Sequence, residues 1–294
     1  MTLAHFTTSD GLSLAYDDRG TGLPLLCLPG LTRNMDDFDT LVGPLSGRCR
    51  LIRMDYRGRG RSDYDPDFNN YNLLREAHDV VELLDLLGLD RVAILGTSRG
   101  GLIAMALAAG FPQRLTGVIL NDIGPVVGDG GLARIMEYVG KVPPYPTLDA
   151  MAAAMVRTTA GEFPGVPQKV WRRHVAHWFE ERPEGGLALR YDPALHKALL
   201  AQAATGALQD MWVFFDALTE FPLAVIRGAN SDILSAETLT EMRRRHPVMM
   251  AAEIADRGHV PFLDEPEALA LIRDFLDTLP SLPALLSLPE SPPR

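Results

Sequence analysis

The chain reads as an α/β protein: a mainly parallel sheet of about eight strands flanked by helices, interrupted by a helical insertion. Three observations carry this. Short apolar strand-like runs alternate with helix-periodic runs up to about residue 122. A block without convincing strands follows, and the alternation then resumes before the end. The 294 residues, 47% hydrophobic and 22% charged with mean hydropathy near zero, suit one large domain with an insertion.

Taken in order, LAHFTT and LSLAYDD are two strands joined at Ser9-Asp10-Gly11, a hairpin signal. PLLCLPG (24–30) is a continuous apolar strand ending in Pro-Gly, and RLIRMD (50–55) is another, followed by the glycine-punctuated loop RGRGR. NLLREAHDVVELLDLLG (72–88) has helical periodicity and stops at Gly88. RVAILG, LIAMALAAG and LTGVILND then read as strand, helix, strand. From about 125 to 215 the helices GLARIMEYVG, TLDAMAAAMVRT, PQKVWRRHVAHWFEE and DPALHKALLAQAA are separated by Gly and Pro clusters. PLAVIRG, ETLTEMRRRH, VMMAAEIA and PEALALIRDFLDTL restore the alternation. The organisation expected is a core in two parts, 1–124 and 216–280, an insertion over 125–215, and a proline-rich tail over 281–294.

Several classes are disfavoured. No apolar run approaches the ~18 residues of a membrane span, and MTLAHFTTSDG lacks the basic and apolar regions of a secretory signal. Formal net charge is −10, with 28 basic against 38 acidic side chains, which argues against nucleic acid as a partner. RGRGR is read as a strand-to-helix turn. Cys27 and Cys49 sit in no CxxC or CxxxH pattern, so buried thiols and a reducing, cytoplasmic setting are expected, a single disulfide being the alternative. The sequence leaves open whether the chain is a monomer or a homodimer.

The chemistry centres on Gly96-Thr97-Ser98-Arg99-Gly100, a G-x-S-x-G pattern with a strand before and a helix after. A serine at such a turn adopts a strained backbone, and its hydroxyl is held out of the sheet above the positive end of the following helix. A serine hydroxyl needs a base and a group to orient that base. Of seven histidines, His5, His78, His174, His177, His196 and His246 lie in the first strand or on helices and are read as surface or packing residues. His259, in ADRGHVPFLDEP after the last strand, is the expected general base. Asp232, in RGANSDILS just after PLAVIRG, is the expected acid, giving the chain order Ser98, Asp232, His259. Asp122, in ILNDIGP, is the alternative acid. The backbone N–H groups of Leu31 and Arg99 are the expected oxyanion donors. Neither HExxH, a compact His/Asp cluster, a phosphate-binding G-x-x-x-x-G-K nor a dinucleotide G-x-G-x-x-G appears, so no metal and no cofactor is expected.

CLPGLTRN, MDYRGRGRSD, GTSRGG, RGANSDIL and DRGHVPFLDEP, in that order, resemble the successive signatures of the α/β-hydrolase superfamily over about residues 3–279. The resemblance implies that the helical block is a lid, and it makes Asp122 a rival to Asp232 because members sometimes place the acid there, although Asp122 is expected to position a loop or cap a turn at the lid entrance. Members often have His-Gly where this chain has Pro29-Gly30, which keeps the oxyanion amide but removes a polar side chain. The serine excludes the aspartate-nucleophile branches. By analogy with dehalogenases, the Arg99 side chain would enter the pocket and hold a substrate carboxylate. The competing reading turns it away towards a structural carboxylate. Arg33, Trp178 and Trp212 are further candidates for substrate contact. The expected activity is hydrolysis of a small-molecule carboxylic ester or lactone through an acyl-enzyme. Carbon–carbon hydrolysis of a ring-cleavage dienoic acid is the rival within enzymes, and a lidded small-molecule sensor retaining the triad is the rival outside them.

Overall fold

The computed structural model describes residues 3–205 and 211–280. The proline-rich tail lies outside the described residues. One eight-stranded sheet is built from β1 (Leu3–Thr7), β2 (Ser13–Arg19), β3 (Leu23–Leu28), β4 (Cys49–Met54), β5 (Val92–Thr97), β6 (Leu115–Asn121), and two later strands, β9 (Leu223–Gly228) and β10 (Met250–Ile254). Its order is β1-β2-β4-β3-β5-β6-β9-β10. β1 pairs antiparallel with β2, and β2 antiparallel with β4; every later pairing is parallel.

The central strands are apolar throughout because both faces are covered. Leu26, Leu28, Ile94 and Val118 pack on one face with α2 (Leu73–Leu86) and α3 (Arg99–Gly110). Leu25, Cys27, Leu95 and Ile119 pack on the other with α1 (Asp39–Val42) and α10 (Pro266–Thr278). Helix starts follow local chemistry. Asn72 caps α2 by accepting from the Arg75 amide, and Pro266 opens α10 at a position that needs no N–H donor. Cys27 and Cys49 are both buried and unbridged, and burial pushes the Cys49 thiol up to about 11.

Between β6 and β9 the chain leaves the sheet for α4 (Asp129–Tyr138), α5 (Leu148–Thr158), α6 (Gln168–Trp178), α7 (Leu195–Thr205) and α8 (Trp212–Asp216). One expectation needs correcting here. A small antiparallel hairpin, β7 (Phe179–Glu181) with β8 (Leu187–Leu189), lies within this stretch. Each strand is only three residues long, FEE was read as the end of the preceding helix, and RPEGG, read as a separator, is the turn: Gly185 and Gly186 have φ of 93° and 83°. α5 and α6 share a core of Trp171, Phe163, Val175 and Leu148, which reaches the sheet domain through Phe262. The parallel strands all point their C-terminal ends at this segment, and the loops that follow β3, β5, β6, β9 and β10 meet beneath it.

The buried arginines explain RGRGR. Arg57 and Arg59 are fully buried: Arg57 binds Asp79, Asp65 and Asp10, while Arg59 binds Glu76. Arg61 pairs with Asp36. The motif is an internal ionic framework and presents no basic face.

Candidate active site

Ser98 sits between β5 and α3 with φ 51° and ψ −115°, a left-handed conformation costing about 1–3 kcal/mol in a non-glycine residue. Two close approaches make the turn possible. A Cβ at Gly100 would lie 2.1 Å from the Leu28 carbonyl oxygen, and one at Gly96 would lie 2.5 Å from the Gly100 backbone. Only glycine fits at either place. The Ser98 amide donates to the Asn121 carbonyl at 2.9 Å, tying the turn to the end of β6.

His259 reaches Ser98 from the loop after β10, its Nε2 lying 2.9 Å from Ser98 Oγ. Its Nδ1 lies 2.7 Å from Asp122 Oδ2. Asp122 is fully buried and is itself fixed: Oδ1 accepts from the Gly228 amide at 2.8 Å, and Oδ2 also accepts from Ser231 Oγ at 2.6 Å. The expectation that Asp232 supports His259 is therefore corrected. The Asp232 carboxylate points outward and accepts two hydrogen bonds from Arg134 of α4, at 2.9 and 2.7 Å. The preceding residue, Ser231, is the one that turns inward, and Asp122 gains its inward direction from its own left-handed backbone, φ 56°.

The Leu31 and Arg99 amides have no hydrogen-bond partner among the described residues. A Cβ at Gly30 would stand 3.8 Å from Ser98 Cβ, so the loop carrying Leu31 runs directly beside the serine. Two unpaired N–H groups beside a serine, one opening a 12-residue helix, can stabilise a developing oxyanion. Beneath them lies Glu76, fully buried, which binds Arg59 at 2.7 Å and Arg99 Nε at 2.6 Å. Arg59 Nε also donates to the Leu31 carbonyl at 2.9 Å. The Arg99 side chain is 4% exposed and turned away from the cavity, donating to the Tyr71 carbonyl as well. The reading in which it enters the pocket is corrected: a buried carboxylate on α2 claims it.

Ser98 and His259 lie in a cavity of about 530 Å³. Its walls come from the loop after β3, from the inserted segment and from the loop after β10, with Met151, Met155, Phe163, Trp178 and Phe262 among the apolar contributors. Arg33 lines it too, its guanidinium stacked 3.5 Å from the Trp178 ring centroid. No carboxylate is bonded to that guanidinium among the described residues, although the Asp37 charge lies near enough to act on it. Trp178 donates its indole N–H to Asp37 Oδ1 at 3.0 Å. Trp212 does not reach the cavity. It stacks under Arg245 at 4.1 Å and packs with Phe215 against the sheet domain, because α8 is already part of the core.

One further group corresponds to no sequence motif. Asp37, from the short turn Met35–Phe38, and His174 and His177, one helical turn apart on α6, meet at the cavity wall with a donor atom of each within 4.8 Å of the others. Burial pushes His174 down to about 4, outweighing the opposing Asp37 charge. Burial acts to raise the Asp37 carboxyl, but the His177 ring and the Arg33 charge outweigh it and hold it below the usual carboxylate range. No local motif links residues so far apart in the chain, so only the packing of α6 on that turn brings them together.

The same architecture recurs in known proteins. A crystal structure of an alpha/beta hydrolase from Novosphingobium aromaticivorans superimposes with a TM-score of 0.87 and 38% identity, covering 94% of this chain and 97% of that one. A 3-hydroxybutyrate-oligomer hydrolase of Cupriavidus necator is 34% identical over 258 residues, 85% of this chain and 87% of its own. A 2-(acetamidomethylene)succinate hydrolase of Mesorhizobium japonicum is 26% identical over 268 residues, 90% and 92% of the two chains. Residues 25–270 match the alpha/beta hydrolase family. A strained serine turn on a parallel sheet and this extent of similarity make the chain a hydrolase, a member of the alpha/beta hydrolase family.

Proposed function

We propose that the protein is a serine hydrolase that cleaves a small carboxylic ester through an acyl-enzyme, with Ser98, His259 and Asp122 as its triad. The observation that carries this is the unbroken chain of contacts from Ser98 Oγ through both ring nitrogens of His259 to a buried carboxylate. Ser98 Oγ attacks the ester carbonyl as its proton passes to His259 Nε2. Asp122 holds Nδ1–H, which leaves Nε2 free to accept, and stabilises the imidazolium that forms. The tetrahedral oxyanion takes hydrogen bonds from the Leu31 and Arg99 amides, donors of a kind worth ~10²–10³ in rate each. Collapse expels the alcohol, which takes the proton back from Nε2. A water molecule activated by the same nitrogen then releases the acid.

The inserted segment acts as a lid that makes the acyl site apolar, and Arg33 anchors a carboxylate within it. A stacked guanidinium with no carboxylate bonded to it among the described residues is pre-organised for such a ligand. The preferred substrates are therefore short esters carrying a free carboxylate. Short hydroxyacid oligomers, which pair a scissile ester with a terminal carboxylate, are of this type, and the similarity to the Cupriavidus necator enzyme favours them.

The test is a substrate panel of hydroxybutyrate dimers and trimers, neutral p-nitrophenyl esters, a lactone and a dienoic diketone acid, run with wild type and Ser98→Ala. Expected are multiple turnovers on oligomers, loss of activity in the variant, and an acyl adduct on Ser98 by mass spectrometry. Exclusive cleavage of the dienoic acid without an ester activity would establish carbon–carbon hydrolysis instead. A single slow acylation followed by arrest would establish a sensor.

A further inference from the structure

We propose that Asp37, His174 and His177 form a binding site for a divalent transition metal of the zinc type, and that its occupation suppresses turnover in the adjoining cavity. The three residues bring one carboxylate oxygen and two imidazole nitrogens together, with donor atoms within 4.8 Å of one another. This is the donor set of many three-residue zinc sites, and it excludes magnesium and calcium, which take oxygen ligands.

The geometry supports this beyond composition. His177 Nδ1 and Asp37 Oδ1 are 3.4 Å apart, a long contact that leaves both atoms open to a shared ligand. With metal–ligand bonds of ~2.0–2.1 Å, two tetrahedral ligands stand about 3.3 Å apart. His174 is 4% exposed, and its Nε2 is buried without a partner. A buried nitrogen left in that state costs ~1–3 kcal/mol. An unpartnered buried imidazole and a second ring facing the same carboxylate have no part in the proposed ester hydrolysis, whose base and acid are His259 and Asp122. The ligands also stand on rigid elements. His174 and His177 share α6, whose Trp171 and Trp178 are packed on either side, and the His177 carbonyl is held by Asn34 at 2.6 Å.

The site has a route to function because Asp37 and His174 line the cavity that holds Ser98. Asp37 also accepts the indole N–H of Trp178, on which Arg33 stacks. A dication drawn to Asp37 places positive charge next to Arg33 and leaves its fourth coordination position to a water or a substrate carboxylate. Either outcome displaces the acid from its productive place.

The experiment uses the full chain carrying Ser98→Ala, so that binding is read without turnover, titrated with Co²⁺ and followed by the visible absorption of tetrahedral cobalt. One equivalent is expected to bind, with affinity falling at least ~tenfold on adding His177→Ala or His177→Gln, since even losing an outer partner of a ligand costs ~10–100-fold. In parallel, Zn²⁺ is expected to lower turnover of a p-nitrophenyl ester carrying a free carboxylate by the active protein, with chelator restoring it. Each His177 variant is compared with its own metal-free rate and is expected to resist the ion. Co²⁺ binding unchanged in both variants, loss of binding only in His259→Ala, or no binding by the parent chain would each overturn the proposal.

Discussion

Replacing Asp122 by asparagine changes almost no volume but reverses the polarity of one atom at a fully buried position. The Gly228 amide, a backbone donor 2.8 Å from Oδ1, requires the asparagine carbonyl on its side. The new NH₂ must then occupy the Oδ2 position, 2.7 Å from His259 Nδ1. Facing a donor, Nδ1 becomes an acceptor and the ring proton moves to Nε2, the nitrogen that has to receive the Ser98 proton. The base is present but in the wrong tautomer. Losses of this kind in serine triads are ~10³–10⁴ in kcat, equivalent to about 4–5.5 kcal/mol of barrier. Asp232→Asn, by contrast, alters a half-exposed pair with Arg134 and is expected to leave kcat within about threefold. Steady-state hydrolysis of a p-nitrophenyl ester by the two variants at neutral pH reads both numbers, with circular dichroism to confirm folding. A folded Asp122→Asn enzyme within tenfold of wild type would refute the reasoning, as would a large loss in Asp232→Asn.

Arg33→Met is expected to raise KM for carboxylate-bearing esters by ~10–100-fold, the worth of a charge-assisted hydrogen bond, while neutral esters change little; equal effects on both would remove Arg33 from substrate binding. Glu76→Ala leaves the Arg59 and Arg99 guanidinium groups buried without their shared carboxylate, so urea denaturation should show a loss of ~3–5 kcal/mol, and a loss below about 1 kcal/mol would contradict the assignment. Burial pushes the Asp55 carboxyl up to about 6, against the two backbone amides that bond it. A raised folded value favours the folded protonated form, so this contribution is whole below about pH 4 and is lost as pH climbs through about 6, on the order of 3 kcal/mol. Urea midpoints at about pH 4.5 and 7 should therefore fall further in wild type than in Asp55→Asn, and a pH-independent difference would exclude it.

What the sequence disclosed follows the range of the interactions involved. Ser98 was legible because a serine turn is local: strand, two required glycines and helix stand within a dozen residues. His259 was legible because a loop after the last parallel strand has only one place to go. The supporting acid was not, since Asp122 and Asp232 both follow adjacent parallel strands and differ only in side-chain direction. That direction is set by the left-handed backbone at Asp122 and by Ser231 turning inward. The direction of the Arg99 side chain was not legible either: it is claimed by Glu76, 23 positions earlier and without any pattern linking the two. Trp212 looked like pocket material by composition, yet α8 packs it against the sheet domain. The Asp37–His174–His177 cluster required the contact between α6 and the turn after β3, which no periodicity announces.

Placing the proposed acid, Asp122, at the end of β6 redistributes evolutionary freedom. Ser98 and Asp122 rise from neighbouring central strands, and the end of β9 and the loop after it reach Asp122 through the Gly228 amide and Ser231. Asp232 and the residues beyond it are released to fasten Arg134 at the cavity rim. Substitutions there can retune which molecules are admitted and how firmly the entrance is shut, while the proton-transfer line stays untouched. For anyone redirecting this scaffold towards new substrates, the first library belongs at Arg134, Asp232 and Glu162, the charged rim in which Arg134 contacts both carboxylates.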